Sequence, residues 1–337
     1  MKNALFLCAL AAAFFLGTSV QAAVSIRFAH GEAEDQTYGV YATMFAKKVE
    51  QLSQGEIKCT VFANGVMGAE LQAGQKVQQG TLQMALVTSS NVGSLAPSAN
   101  IMALPYLFDS PDMLMGAEGY LRIGSPFREE LGKRILSESG KLRLLGVGTN
   151  GFRLLFTKPK PVTSLADLKG LKLRLPANPV LQRLWENWGA GAYPIAWSET
   201  FTAIQQGVAD AYESPLDTLL KSGFYPYTKF VTENLTYTPQ SFFLLVNEGW
   251  FKKQPEKIQK LILQAASEND VEHFAWVQEQ YDNVKKQLTE KGVSFYQASD
   301  IAEWEKKAIA IWPELAKYCG GQEWVDMVLR LKKTKSF

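Results

Sequence analysis

The chain has 337 residues, 47% hydrophobic and 20% charged, with 35 Lys plus Arg against 33 Asp plus Glu. Its length suits about two domains with sizeable cores, and its near-balanced charge excludes a general nucleic-acid or polyanion binder. Three cysteines, 26 glycines and 14 prolines exclude a disulfide scaffold, a collagen-like chain and a low-complexity chain.

The N-terminus reads as an export signal. Met1-Lys2 gives a positive start, and Ala4 to Leu16 forms an apolar run of about a dozen residues. Small and polar residues follow, so cleavage is expected after Ala22. A membrane-spanning helix needs about 20 apolar residues, more than this run supplies. Cys8 follows Phe6-Leu7 rather than small residues, which argues against a lipid anchor. In the exported chain Cys59 and Cys319 remain. An oxidising compartment would let them pair. Alternation in Ile57 to Val61 puts Cys59 on the apolar face, so a buried free thiol fits equally well.

Ser25 to Ala29 reads as a strand, Tyr38 to Ser53 as an amphipathic helix, and Ile57 to Phe62 as a second strand. A helix over Ala69 to Gln79, stopped by Gly80, precedes a strand at Gln83 to Val87. This β-α-β-α-β opening predicts parallel pairing with helices on the sheet faces. Further strands are expected at Leu142 to Val147, Phe152 to Phe156, Leu171 to Leu175, Ala209 to Glu213 and Ser241 to Asn247. Ser164 and Asp167 cap a short helix closed by Gly170. Pro179 to Trp188 and Glu199 to Gln206 are helical, and Trp185 and Trp188 share an apolar face with Leu181 and Leu184. From Pro255 to about Gly292 one helix of roughly 50 Å is expected, long enough to brace two lobes. The alternative is a break near Ser267 to Asp270.

Much chemistry is absent. His30 and His273 are far apart in sequence, and no H-E-x-x-H, C-x-x-C or Cys/His cluster occurs, so no metal is expected. No G-x-S-x-G elbow is present. Gly146-x-Gly148-x-x-Gly151 follows a strand, but strand residues and Lys158-Pro159-Lys160-Pro161 come next. No helix opens there to hold a pyrophosphate, and these glycines suit a crossover between lobes. No cofactor and no nucleic acid are expected. Arg153 and Arg174 each lie near the end of a mostly apolar strand. Such a guanidinium is either solvated or faces a cleft, where its planar fork suits a carboxylate.

Ile26-Arg27-Phe28-Ala29-His30, Asn150-Gly151-Phe152-Arg153, Leu165 to Pro176, and Ile195 to Asp210 running on to Tyr212-Glu213-Ser214-Pro215 occur in this order. With them the chain resembles the solute-binding proteins of tripartite ATP-independent periplasmic (TRAP) transporters, of the dicarboxylate/sialate-binding type. The resemblance covers essentially the whole exported chain. It implies a two-lobed α/β fold of the periplasmic-binding-protein kind, each lobe a mixed sheet flanked by helices, with the long helix bracing both. It implies a first lobe of residues 23–150 plus 239–278 and a second of 151–238 plus 279–337. By the same resemblance Arg174 pairs bidentately with a ligand carboxylate and Arg153 makes a second contact. Ser214 stands where the family usually has Asn, and a lone hydroxyl cannot offer the amide's paired groups. The resemblance also implies that Trp197 lies against the ligand body and that His30, Glu70, Thr88, Ser89 and Ser90 line the first-lobe wall.

The implied function is a periplasmic, monomeric binding protein, not an enzyme. It would capture a small organic acid by lobe closure and deliver it to the small and large TRAP permease subunits. A monocarboxylate with a bulky body is favoured. Two alternatives stay open. One is an exported enzyme on a small acid with Glu70 or Glu213 as general base. The other is a binding protein of an ATP-driven importer.

Overall fold

The computed structural model describes residues 24–334 except 109, 117 and 118. The signal segment, its cleavage after Ala22 and Cys8 lie outside the described residues. Among them, two sheets form. The first carries β1 (Val24–Ala29), β2 (Ile57–Phe62), β3 (Met84–Thr88), β4 (Leu142–Phe152) and, later in the chain, a returning strand (Pro239–Asn247). The second carries β5 (Leu154–Thr157), β6 (Lys172–Leu175), β7 (Gly191–Pro194), β8 (Ala211–Ser214) and β9 (Phe230–Thr232), with a late edge strand (Ser294–Tyr296). Counting in chain order, the returning strand is β10 and the edge strand β11. The spatial orders are β2-β1-β3-β10-β4 and β11-β9-β5-β8-β6-β7. As expected, β1 runs parallel to β2 and β3. The sheet becomes mixed because β10 returns antiparallel between β3 and β4.

The chain crosses between sheets where the glycine motif ends. β4 is longer than expected and runs to Phe152, and β5 begins at Leu154 in the other sheet. Gly146 and Gly148 serve close packing, and Gly151 turns the chain at the crossover with a left-handed φ of 100°. A Cβ at Gly148 would overlap the Phe242 ring, and one at Gly146 would overlap the Tyr41 hydroxyl. The short helix Leu165–Leu168 carries the capping box of Ser164 and Asp167. The helix Pro179–Trp188 buries Trp185 and Trp188, whose indole N–H groups donate to the Tyr237 hydroxyl and the Trp304 carbonyl. Both tryptophans are core residues.

The helix Glu256–Glu290 is continuous. Its first half packs Ile258, Ile262, Ala265 and Ala266 into the core over β1, β3 and β10. Its far end packs Val284 and Leu288 into the core on β5 and β8. The polar run Ser267 to Asp270 is no break. Asn269 and Asp270 point inward, and Asp270 takes hydrogen bonds from Arg128 (2.7 Å), the Tyr41 hydroxyl (2.6 Å) and the Val147 amide (3.0 Å). Glu268, on the outer side, pairs with Lys48 at 3.2 Å.

The helix Pro126–Ser139 was not read from the pattern, although Ser125 caps it, Pro126 opens it and Gly140 ends it in the left-handed region. The final helix, Gln322–Thr334, extends the tail back to the first sheet's side. Trp324 stacks on Phe127 at 5.4 Å and donates to the Ser98 carbonyl. Cys59 and Cys319 are free thiols in different cores. Burial pushes both up to about 12.

Candidate functional site

Between the two sheets lies a cavity walled by both. Arg174 is the penultimate residue of β6, where parallel pairing with β7 and β8 puts it near the carboxyl end of the strands, the usual ligand position in such sheets. It is buried. Its Nε donates to the Ile195 carbonyl at 2.9 Å, and its guanidinium carbon sits 5.4 Å from the Trp197 ring centre. These two contacts lock the stem and leave both terminal Nη groups for a ligand. Among the described residues Arg174 makes no ion pair. Burial pulls it down to about 10, against the pull of Glu213 and Glu70, so it stays charged at neutral pH. Trp197 opens the helix Trp197–Gln206 and leans on Tyr212 and Phe224. It therefore both packs and lines the cavity.

Arg153 is placed differently. Antiparallel pairing sets Leu154 opposite Ser214 and Leu155 opposite Glu213. Arg153 then meets Glu213, with Nη1 2.7 Å from Oε1, while the Tyr237 hydroxyl donates to Oε2 at 2.8 Å. Both partners are almost fully buried. Burial opposes the Arg153 charge, but Glu213 holds the guanidinium above its ordinary value. Arg153 lines the cavity with its charge already matched, and Glu213, so engaged, is poorly placed as a general base.

The first-lobe wall is acidic. Glu70, the first residue of the helix Glu70–Gln79, accepts from the Thr88 amide, the Thr88 hydroxyl and the Asn91 side chain, all on Oε2. Burial raises its pKa, and those hydrogen bonds oppose the rise. Glu32 accepts from the Tyr38 amide at 2.9 Å. Burial, then Asp217 nearby, raises it well above the carboxylate range.

The structure thus brings together Arg174, Arg153, Ser214, Trp197, Glu70 and Thr88 around one cavity. It adds Glu32, Tyr38, Asn91 and Gln240 to the expected residues. Three expectations fall away from this wall. Ser89 receives a hydrogen bond from Ser241, Ser90 offers its carbonyl to Asn178, and His30 is buried at the end of β1. None of the three lines the cavity. Burial pulls His30 down to about 4, so its ring is neutral, and neither ring nitrogen has a hydrogen-bond partner among the described residues. Only Glu32 had a sequence signal, an acid three residues past a strand end.

This cavity holds about 30 Å³, and an adjoining one of about 190 Å³ shares Glu70, Asn91, Arg174, Pro176 and Trp197 with it. The walls are held close by bonds across the boundary. The Thr37 hydroxyl donates to Asp217, and Gln36 donates to Ser222 at 2.9 Å. No group of three or more metal-ligating side chains occurs among the described residues.

Comparison with known proteins identifies the family. A solute-binding protein of Verminephrobacter eiseniae is 31% identical over 285 residues, covering 84% of this chain and 82% of its own. The C4-dicarboxylate-binding protein DctB of Bacillus subtilis is 26% identical, covering 93% of this chain and 88% of its own. The crystal structure of a sugar acid binding protein from Advenella mimigardefordensis, in complex with galactonate, superposes with a TM-score of 0.86 at 28% identity. It covers 93% of this chain and 99% of its own. Residues 28–318 match the family model described as "Bacterial extracellular solute-binding protein, family 7". The chain belongs to this family, the DctP group of TRAP solute-binding proteins.

Proposed function

We propose that this protein captures a hydroxylated monocarboxylic acid, of the sugar-acid class, in the periplasm and hands it to a TRAP permease of small and large membrane subunits. The observation that carries the reading is the unequal state of the two arginines. Arg153 is neutralised by Glu213, so Arg174 alone offers its fork to a carboxylate. The facing wall holds Glu70 and Glu32, which hydrogen-bond ligand hydroxyls and offer no cation to a second carboxylate. Trp197 supplies an apolar face for the carbon chain. Galactonate in the related sugar acid binding protein supports this class. The C4-dicarboxylate named for DctB does not suit two acids on one wall.

The lobes are 23–150 plus 239–278 and 151–238 plus 279 onward, with the tail from Gln322 returning to the first. Their closure supplies most of the affinity. One charge-assisted contact gives about 1.5–3 kcal/mol, whereas micromolar binding needs about 8 kcal/mol. Export follows cleavage after Ala22, and the protein acts as a monomer without a cofactor.

A thermal-shift screen tests the substrate class. A ligand at about 100 times its Kd stabilises by about 2.7 kcal/mol. Galactonate or another aldonate is expected to raise the melting temperature, and succinate and malate to leave it unchanged. A shift with the dicarboxylates alone overturns the reading.

A further inference from the structure

A second cavity, of about 380 Å³, lies between the brace helix, the Asn150 to Leu154 crossover and the helix Leu216–Lys221. It shares no lining residue with the acid cleft. Its volume falls within the range of small-molecule sites, roughly 300–1,000 Å³. Phe152, Leu154 and Trp276 give it apolar and aromatic walls. Its charged groups are Asp217 and Asp282 against Lys221 alone. Asp217 takes the Thr37 hydroxyl on Oδ2 and the Asn150 amide on Oδ1 at a long 3.5 Å, with nearby backbone amides and Lys221 also favouring its charge. The Lys221 ammonium already lies 4.7 Å from the Trp276 ring centre, so this wall accommodates a cation over the indole face.

We propose that this cavity is a second ligand site, taking a small aromatic amine whose ring packs against Phe152 and Trp276 and whose ammonium group faces Asp217. The site is opposite in sign to the cleft. Arg174 selects an anion, while the acid excess here selects a cation and disfavours an aromatic carboxylate. An occupant touches the second lobe through Asp217, the crossover through Phe152 and the brace through Trp276. It therefore biases the hinge, because Asp217 also makes the bond to Thr37 that joins the lobes.

Tryptamine is the probe, measured by calorimetry and saturation-transfer NMR on the exported chain. It is expected to bind saturably at millimolar concentration or below, while indole-3-propionate of similar shape does not compete. Val277→Trp, which fills the cavity from the partly exposed face of the brace, is expected to weaken tryptamine at least about tenfold, as is Asp217→Asn. Gln280→Trp provides a second filling variant if Val277→Trp fails to fold. Arg174→Lys is expected to leave tryptamine affinity within about twofold, which separates this site from the acid cleft. Three results overturn the proposal: no saturable binding, equal binding to folded cavity-filled variants, or loss of binding in Arg174→Lys. Each is distinct from failure of the sugar-acid reading, which the aldonate screen decides.

Discussion

The two walls of the cleft solve burial of charge in opposite ways. On the second lobe Arg153 is matched at 2.7 Å by Glu213, while Arg174 is held only by a carbonyl and an indole ring. On the first lobe Glu70 and Glu32 have no ion-pair partner among the described residues and rely on amide, hydroxyl and side-chain donors. A matched buried pair stabilises a wall and is spent there. An unmatched group keeps its capacity for a guest. The comparison separates residues that build the cleft from residues that select what enters it.

The largest expected effect comes from breaking the matched pair. Arg153→Ala leaves Glu213 buried without its cation, and such a loss destabilises by about 3–5 kcal/mol. Chemical denaturation of the unliganded protein should show it. A stability change confined to the liganded protein would make Arg153 a ligand group instead.

Acid sensitivity locates a second difference, since both histidines lie with the first lobe. Burial lowers His273 from 6.5 to about 4, as it does His30. Between those values the unfolded chain binds more protons, so this contribution is full above pH 6.5 and is lost as pH falls towards 4. Each histidine gives a slope of at most about 1.4 kcal/mol per pH unit. The raised carboxylates Glu32 and Asp217 act in the opposite sense. Comparison with His273→Gln isolates the histidine, and the variant should lose less stability between pH 6.5 and 4. An unchanged slope would show that its ring is protonated in the fold.

Arg174→Lys keeps the charge and removes the fork. Ligand affinity should fall at least about tenfold, or 1.4 kcal/mol, with stability of the unliganded protein unchanged. Equal affinity by calorimetry would remove Arg174 from the carboxylate site.

How much of this was legible varies with the range of the interaction. The parallel opening, the brace and the crossover follow from local spacing, and the choice of Arg174 and Trp197 as cleft residues follows from the family resemblance, but their contact does not. The capture of Arg153 by Glu213 does not, because it depends on the register of β5 against β8 across sixty positions. The loss of Ser89 and Ser90 from the wall has a similar cause. Only Thr88 is turned towards Glu70, while the next two residues begin a short helix and bond backwards to Ser241 and Asn178. The helix Pro126–Ser139 had clear end signals, but its weak apolar periodicity hid it.

A smaller effect concerns the acids. Glu70→Gln keeps the amide and hydroxyl donors largely engaged but removes the negative charge. Aldonate affinity should fall a few-fold, about 1 kcal/mol for one hydrogen bond, while succinate should gain. Selectivity measured by competition would expose an unchanged ratio. Smallest is Thr37→Val, which removes the link to Asp217 and should weaken ligand binding by about twofold to fivefold through costlier closure. A stronger ligand affinity would mean that the link opposes closure.

The buried Asp270 fastens the middle of the brace to Arg128, Tyr41 and the Val147 amide, whereas the far end is held by Val284, Leu288 and a half-exposed ion pair of Lys285 with Glu233. One end of the rod is riveted and the other is pinned. When the halves swing, the slip must be taken up beyond the rivet, along the turns from Trp276 to Tyr281, so that stretch acts as the joint's clearance and any wedge placed there would stiffen the swing.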